Sequence, residues 1–303
     1  MKIKNIAVLT SGGDAPGMNS AIFGIFSACS AHNVKLYGVI SGYNGLIDNN
    51  FKEITFDMLD GRINRGGSII KSSRSPRFLK SNYFNTAIQN LKSNKIDALI
   101  IIGGDGSIKG AIKLREHGIK VISIPATIDN DINFSYSIGF DTASNNIVNA
   151  IDNISDCLSA FNYGSVVKIM GRDCDDLIDC VSESIHTPFV VKNNNFNLNN
   201  LIKDIKKYVS TNNLPVVVLV LEDTVNCEDF AKILQEKCKM QFRAHILGYI
   251  QRGGTPSAFD RRYGFTSGKA AVEAILRGES GYAIGMQNSI LVKKSFEDTI
   301  KKA

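Results

Sequence analysis

"DALIIIGGDGS", Asp97 to Ser107, holds an unbroken apolar run that stops at paired glycines. A strand with one wet face alternates apolar and polar residues. A strand buried on both faces does not, and such strands belong to parallel sheets covered by helices. The polar amphipathic stretch that follows predicts a helix over Ser107–His117, so the segment reads as strand, tight turn, helix.

The same pattern repeats outward. Strands are expected at Asn5–Leu9, Lys35–Ile40, Asp97–Ile102, Lys120–Ile124, Ser165–Met170, Phe189–Lys192, Pro215–Glu222 and Phe242–Leu247. Helical periodicity falls near Met18–Ala31, Tyr83–Ser93, Thr142–Leu158, Asp176–Ile185, Leu198–Ser210, Cys227–Lys239 and Asp260–Arg277. Alternation of this kind means an α/β fold. Eight strands are many for one open sheet. The expectation is two Rossmann-like lobes with mostly parallel sheets covered by helices on both faces. Residues 1–140 would form one lobe, with about 255–303 returning to it, and 141–254 the other.

Composition narrows the function. The chain has 303 residues, 44% hydrophobic and 21% charged, and its longest apolar runs are strand-length, so no membrane is expected as a partner. The start "MKIKNIAVLTSGG" runs straight into a strand and a glycine turn, unlike a secretory leader. Six scattered cysteines without a CxxC pair argue against a disulfide framework or a zinc site and for reduced thiols in the cytoplasm. The net charge of +6 is spread out, Trp is absent, and no aromatics interleave the lysines, which disfavours nucleic acid. A mild positive field suits anionic small molecules.

In open α/β sheets ligands bind beyond the carboxyl ends of the strands. The segments there are "TSGGDAPGMN" (Thr10–Asn19), "GGDGS" (Gly103–Ser107), "PATIDND" (Pro125–Asp131), "MGRDCDD" (Met170–Asp176), Glu222 and "GYIQRGG" (Gly248–Gly254). Glycine pairs that end a strand and open a helix let backbone N–H groups approach phosphate. Either pair by itself reads equally well as an empty tight turn, and neither matches a P-loop or GxGxxG. Asp105 among its glycines could hold Mg²⁺ or cap the Ser107 helix. Asp129 could take the proton of an attacking hydroxyl, with Asp131 orienting it or helping with the metal. The bland reading of these two carboxylates is an Asx-rich turn. Arg74, Arg172 and Arg252 offer guanidinium forks suited to phosphate oxygens.

Together "TSGGDAPGMN", "NRGGSIIKSSR", "IGGDGS", "TIDND", "MGR" and "LGYIQRGGTPSAFDR" make the chain resemble the bacterial-type ATP-dependent 6-phosphofructokinases, in order and over nearly its whole length. The resemblance implies transfer of phosphoryl from ATP to the 1-hydroxyl of fructose 6-phosphate, a glycolytic step in the cytoplasm. It implies that Gly13, Arg74, Ser75, Gly104, Asp105, Gly106 and Ser107 line the ATP site, with Asp105 on Mg²⁺. Asp129 would be the base, and Thr127 and Arg172 would stabilise the moving phosphoryl. Met170, Gly171, Arg172, Glu222 and Arg252, with Thr127 and Asp129, would hold the sugar phosphate. Arg243 would reach its 6-phosphate from a neighbouring subunit of a homotetramer. Gly106 and Ala126 stand where the pyrophosphate-using branch has aspartate and lysine, which points to ATP as donor.

Departures from the family cluster at the acceptor. Tyr163 replaces a second arginine for the 6-phosphate, Tyr249 replaces a histidine, and Asp173 and Asp175 add negative charge. The family's effector positions also carry no basic pair: they read Phe23, Ser27, Phe56, Ser155, Ile185–Pro188 and Thr211–Pro215. ADP and phosphoenolpyruvate control is therefore expected to be lost. Two alternatives stay open: a related sugar-phosphate kinase or weakly active paralogue with an altered acceptor, and a non-catalytic nucleotide-binding subunit of another enzyme.

Overall fold

The structure, a computed structural model, describes residues 3–133, 135–171, 174–211 and 215–300. In chain order the elements are β1 (Asn5–Ser11), α1 (Met18–Ala31), β2 (Lys35–Val39), α2 (Gly42–Ile47), β3 (Phe51–Glu53), α3 (Phe56–Leu59), α4 (Ser81–Ser93), β4 (Ala98–Gly103), α5 (Asp105–Glu116) and β5 (Val121–Pro125). They continue with α6 (Phe140–Ser159), β6 (Gly164–Ile169), α7 (Asp176–Ser184), β7 (Val190–Val191), α8 (Leu198–Thr211), β8 (Val217–Leu221), α9 (Cys227–Cys238) and β9 (Phe242–Ile246). The last are α10 (Ala258–Leu276), β10 (Tyr282–Gln287), β11 (Ile290–Ser295) and α11 (Phe296–Thr299).

The chain divides into two compact units, residues 1–142 with 252–303, and residues 143–251. The first holds a seven-stranded sheet of order β11-β10-β5-β4-β1-β2-β3. Its central strands are parallel, and antiparallel pairs close both edges, β2 with β3 and β10 with β11. Every residue of β4 is buried, so the unbroken apolar run has the physical cause read from it. The Asp97 carboxylate accepts the amides of Lys4 (2.7 Å) and Asn5 (2.9 Å), which pins the start of β4 to that of β1. The second unit holds a four-stranded sheet of order β7-β8-β6-β9, parallel throughout.

The expected eight strands fall short of the structure by β3, β10 and β11. Each lies at or beside a sheet edge. β3 has three residues, and β11 is largely exposed and carries lysines, so neither prints a burial period. α2 was hidden by its glycines and its length of six residues. Asp105 is not an N-cap: α5 begins one residue after Gly104, with Asp105 in its first turn, where a carboxylate complements the helix dipole. All six cysteines are free thiols. Among the described residues no helix is long and apolar enough to cross a membrane.

Candidate active site

In the first unit, three neighbouring parallel strands deliver three loops. After β1, Gly12 adopts φ +90°, which a side chain would strain. Its N–H donates to the Ser73 carbonyl (3.2 Å), and the Ser72 hydroxyl donates to the Gly12 carbonyl (2.9 Å). The segment bearing Arg74 and Ser75 is thereby tied to the first glycine turn. After β4, a β-carbon on Gly103 would lie 2.5 Å from the Ser11 carbonyl oxygen and 2.4 Å from Ser107 Oγ, so only glycine fits. Ser107 Oγ donates to the Ser11 carbonyl at 3.1 Å and joins the two turns. After β5, the Ala126 amide donates to the Gly103 carbonyl (3.1 Å), and Thr127 lies 3.5 Å from where a Gly104 β-carbon would be.

Within that third loop Thr127 Oγ1 donates to Asp129 Oδ2 at 3.4 Å and accepts the Asp129 amide at 3.2 Å. Both residues are half-buried, as is Asp131. Asn130 takes a left-handed φ of 55°, and its Oδ1 accepts the Ser137 amide at 2.9 Å, fixing the bend that presents Asp129.

Asp105 Oδ2 is 2.7 Å from Lys109 Nζ. Its Oδ1 is buried and, among the described residues, has no hydrogen-bond partner. An unsatisfied buried carboxylate oxygen is costly, and a hard cation is one partner that would satisfy it, so the residue fits Mg²⁺. Beside it, no heavy atom lies within 4 Å of a β-carbon built on Gly106, leaving open space over the turn.

Arg252 also belongs to this unit. Its Nη1 donates to the Asp14 carbonyl at 3.0 Å, and a β-carbon on Gly13 would meet that nitrogen at 2.7 Å. The guanidinium rests on the first glycine turn. Arg74 is exposed, while Ser75 Oγ donates to Asn44 Oδ1 (2.7 Å), which also accepts Arg77 Nε (2.9 Å).

The second unit holds a separate set. At the ends of β6 and β8, the Gly171 amide donates to Glu222 Oε1 (3.3 Å) and the Met170 amide to Gln251 Oε1 (2.9 Å). Arg172 and Asp173 lie outside the described residues. Lys192 pairs with Asp179 and stands 3.6 Å from Asp175, which offsets the charge that Asp175 adds. Arg243 sits elsewhere: it pairs in register with Ser165 near the start of β6, whereas Met170 follows its end. Its guanidinium carbon lies over the Tyr163 ring, 5.6 Å from the centroid. Tyr249 is 83% exposed.

Sequence reasoning gave no role to three residues that hold these loops. Asn19 is buried and donates to the Arg62, Arg65 and Gly66 carbonyls while accepting the Ile69 amide. Gln251 carries the Met170 contact and also donates to the Gly248 carbonyl (2.9 Å). Asp260, wholly buried, accepts the Gly139 and Thr142 amides (both 2.8 Å) and the Thr142 hydroxyl (2.5 Å). Burial pushes its carboxyl up to about 6 against the pull of those donors. For Asn19 and Asp260 the available signal was a polar residue on a buried helix face; Gln251 lies in a short turn and carried no such signal.

Glycine turns at adjacent strand ends, a carboxylate oxygen with no hydrogen-bond partner among the described residues and a threonine–aspartate pair thus lie together in one unit of an α/β fold. The family model for phosphofructokinase matches residues 5–275. The chain belongs to the phosphofructokinase family. It is similar to the ATP-dependent 6-phosphofructokinase of Histophilus somni (strain 2336), 40% identical over 301 residues, 98% of this chain and 94% of that protein. Its identity to the enzyme of Macrococcus caseolyticus (strain JCSC5402) is 40% over 302 residues, 98% and 93% of the two chains. Pichia pastoris phosphofructokinase in the T-state matches with a TM-score of 0.92 at 27% identity, over 99% of this chain but 35% of that one. The pyrophosphate-dependent phosphofructokinase of Marinobacter aquaeolei, at 18% identity, shares the fold with a TM-score of 0.86, over 99% of this chain and 86% of that one.

Proposed function

We propose that the chain transfers the γ-phosphoryl group of ATP to the 1-hydroxyl of fructose 6-phosphate, giving fructose 1,6-bisphosphate and ADP in the cytoplasm. The observation that carries this reading is the apposition of Gly104 and Thr127, which sets Asp129 beside the open turn of Gly103–Ser107. Family membership and the named relatives supply the substrates.

In this reading the amides around Gly13 and Gly104–Ser107 cradle the nucleotide phosphates, with Arg74 and Ser75 at its edge. Asp129 accepts the proton of the sugar 1-hydroxyl as that oxygen bonds to the γ-phosphorus. The bond from phosphorus to the β-bridging oxygen breaks, and ADP leaves with the electron pair. Thr127 donates to the moving phosphoryl or to Asp129, and Arg252 and Arg172 supply positive charge. Asp131 orients the base. Asp105 would hold Mg²⁺, which would supply positive charge to the nucleotide phosphates. Met170, Gly171 and Glu222 bind the sugar.

Arg243 supports a homo-oligomer, taken to be a tetramer. It lies five residues of β-strand register from Met170, roughly 16 Å at the usual rise. That separation supports the reading in which Arg243 serves the sugar phosphate held by a second copy. An altered acceptor is the second reading, favoured by Tyr163 at the arginine position. Coupled ADP release with a panel of sugar phosphates tests both. Fastest turnover on fructose 6-phosphate is expected; turnover on none overturns the assignment.

A further inference from the structure

We infer that Tyr163 is the platform that positions Arg243 for a phosphate monoester, an inference that rests on the proposed role of Arg243. The Arg243 guanidinium lies over the Tyr163 ring at 5.6 Å, and that ring stacks on Phe161 with centroids 5.5 Å apart and planes 29° off parallel. The three line a cleft of about 540 Å³ with Ile154, Leu158 and His245. Burial pushes the His245 imidazole below its usual range, and among the described residues its buried Nε2 has no hydrogen-bond partner. Among the described residues no carboxylate lies within 4 Å of the Arg243 nitrogens. Among the described residues lining this cleft Arg243 carries the permanent charge, and its guanidinium rests on an aromatic ring.

An exposed arginine on a free stem loses much rotamer entropy when it binds. A guanidinium held over a ring face has already lost part of it, and its in-plane N–H groups stay available to a phosphate. The family's two cations become one cation and its support. The tyrosine hydroxyl is not required, which distinguishes this role from that of a neutral phosphate donor.

Steady-state kinetics of the intact oligomer at saturating ATP test it, reading KM for fructose 6-phosphate against kcat. Arg243→Ala should raise KM by about tenfold or more with kcat little changed; an unchanged KM would refute the role of Arg243 and the inference with it. Given that rise, Tyr163→Leu should raise KM by roughly two- to fivefold, the scale of an exposed cation–π contact, while Tyr163→Phe keeps the wild-type KM. Adding Tyr163→Leu to Arg243→Ala should raise KM no further. The platform role falls if Tyr163→Leu leaves KM alone. It also falls if Tyr163→Phe is as impaired as Tyr163→Leu, or if Tyr163→Leu acts equally with and without Arg243. Melting and size measurements accompany each variant, and Tyr163→Met replaces Tyr163→Leu if the latter does not assemble.

Discussion

The Thr127 hydroxyl and the Asp129 carboxylate face each other across a single intervening residue, 3.4 Å apart, with the Asp129 amide donating back to the hydroxyl. The pair fixes where the carboxylate points before any substrate arrives. Asp129→Asn removes the proton acceptor and keeps the shape. Turnover should fall by at least about a hundredfold with ATP affinity little changed, measured by coupled assay and nucleotide binding. Full turnover in that variant would take Asp129 out of the mechanism.

The open space over Gly106 makes the donor testable. Gly106→Asp has room to fold, since nothing lies within 4 Å of the added β-carbon. Its carboxylate would occupy the space assigned to the nucleotide. KM for ATP should rise by an order of magnitude or more, about 1.4 kcal/mol, with the melting temperature unchanged. Wild-type protein should turn over with ATP and not with pyrophosphate; the reverse preference would overturn the donor assignment.

Gly13 and Arg252 constrain one another. Gly13→Ala places a methyl 2.7 Å from Arg252 Nη1, closer than any ordinary contact, so the guanidinium must shift from its present seat on the turn. Activity should then fall about as far as in Arg252→Ala, and combining the two should add little, because both remove the same placement. Additive losses would show that Arg252 works from elsewhere.

Asp260 gives a pH signature. Its carboxyl moves from an ordinary 3.8 to about 6 in the folded protein, through burial first, opposed by the Thr142 and Gly139 donors. The folded state then binds more protons than the unfolded chain between those values. This group's stabilising contribution is full below pH 3.8 and is lost as pH rises through 6, roughly 3 kcal/mol in all. Wild-type stability should therefore decline relative to Asp260→Asn between pH 4 and 6.5 in denaturant titrations. Parallel profiles would show that the donors outweigh burial and keep Asp260 ionised throughout.

Control by anionic effectors should be absent. Phe23 packs against Phe265 with ring centroids 5.6 Å apart, and Phe56 is 53% exposed. Pro215 is described and uncharged, and residues 212–214 lie outside the described residues. An effector shifts an equilibrium only through different affinities for two states. Millimolar phosphoenolpyruvate should leave the sugar-phosphate saturation curve in place, and ADP should act only as a product competing with ATP. A shift of fivefold or more, about 1 kcal/mol, would point to the cleft that Phe23 shares with Arg261 and Arg262.

The strand runs around Val8, Ile100 and Val218 determined the α/β class by themselves, because burial on both faces leaves no alternation to misread. The strand-to-helix glycine turn at Gly103–Asp105 and the bend around Thr127–Asp129 were legible as backbone geometry for a related reason: each is formed by residues a few positions apart. Tertiary structure decided what depends on distant partners. The edge strands β3 and β11 are defined by pairing and not by burial. Arg252 finds Gly13 across more than two hundred residues of sequence, and buried Asp260 caps α6 from another helix. Tyr163 read only as a lost charge until Arg243 was found lying over its ring.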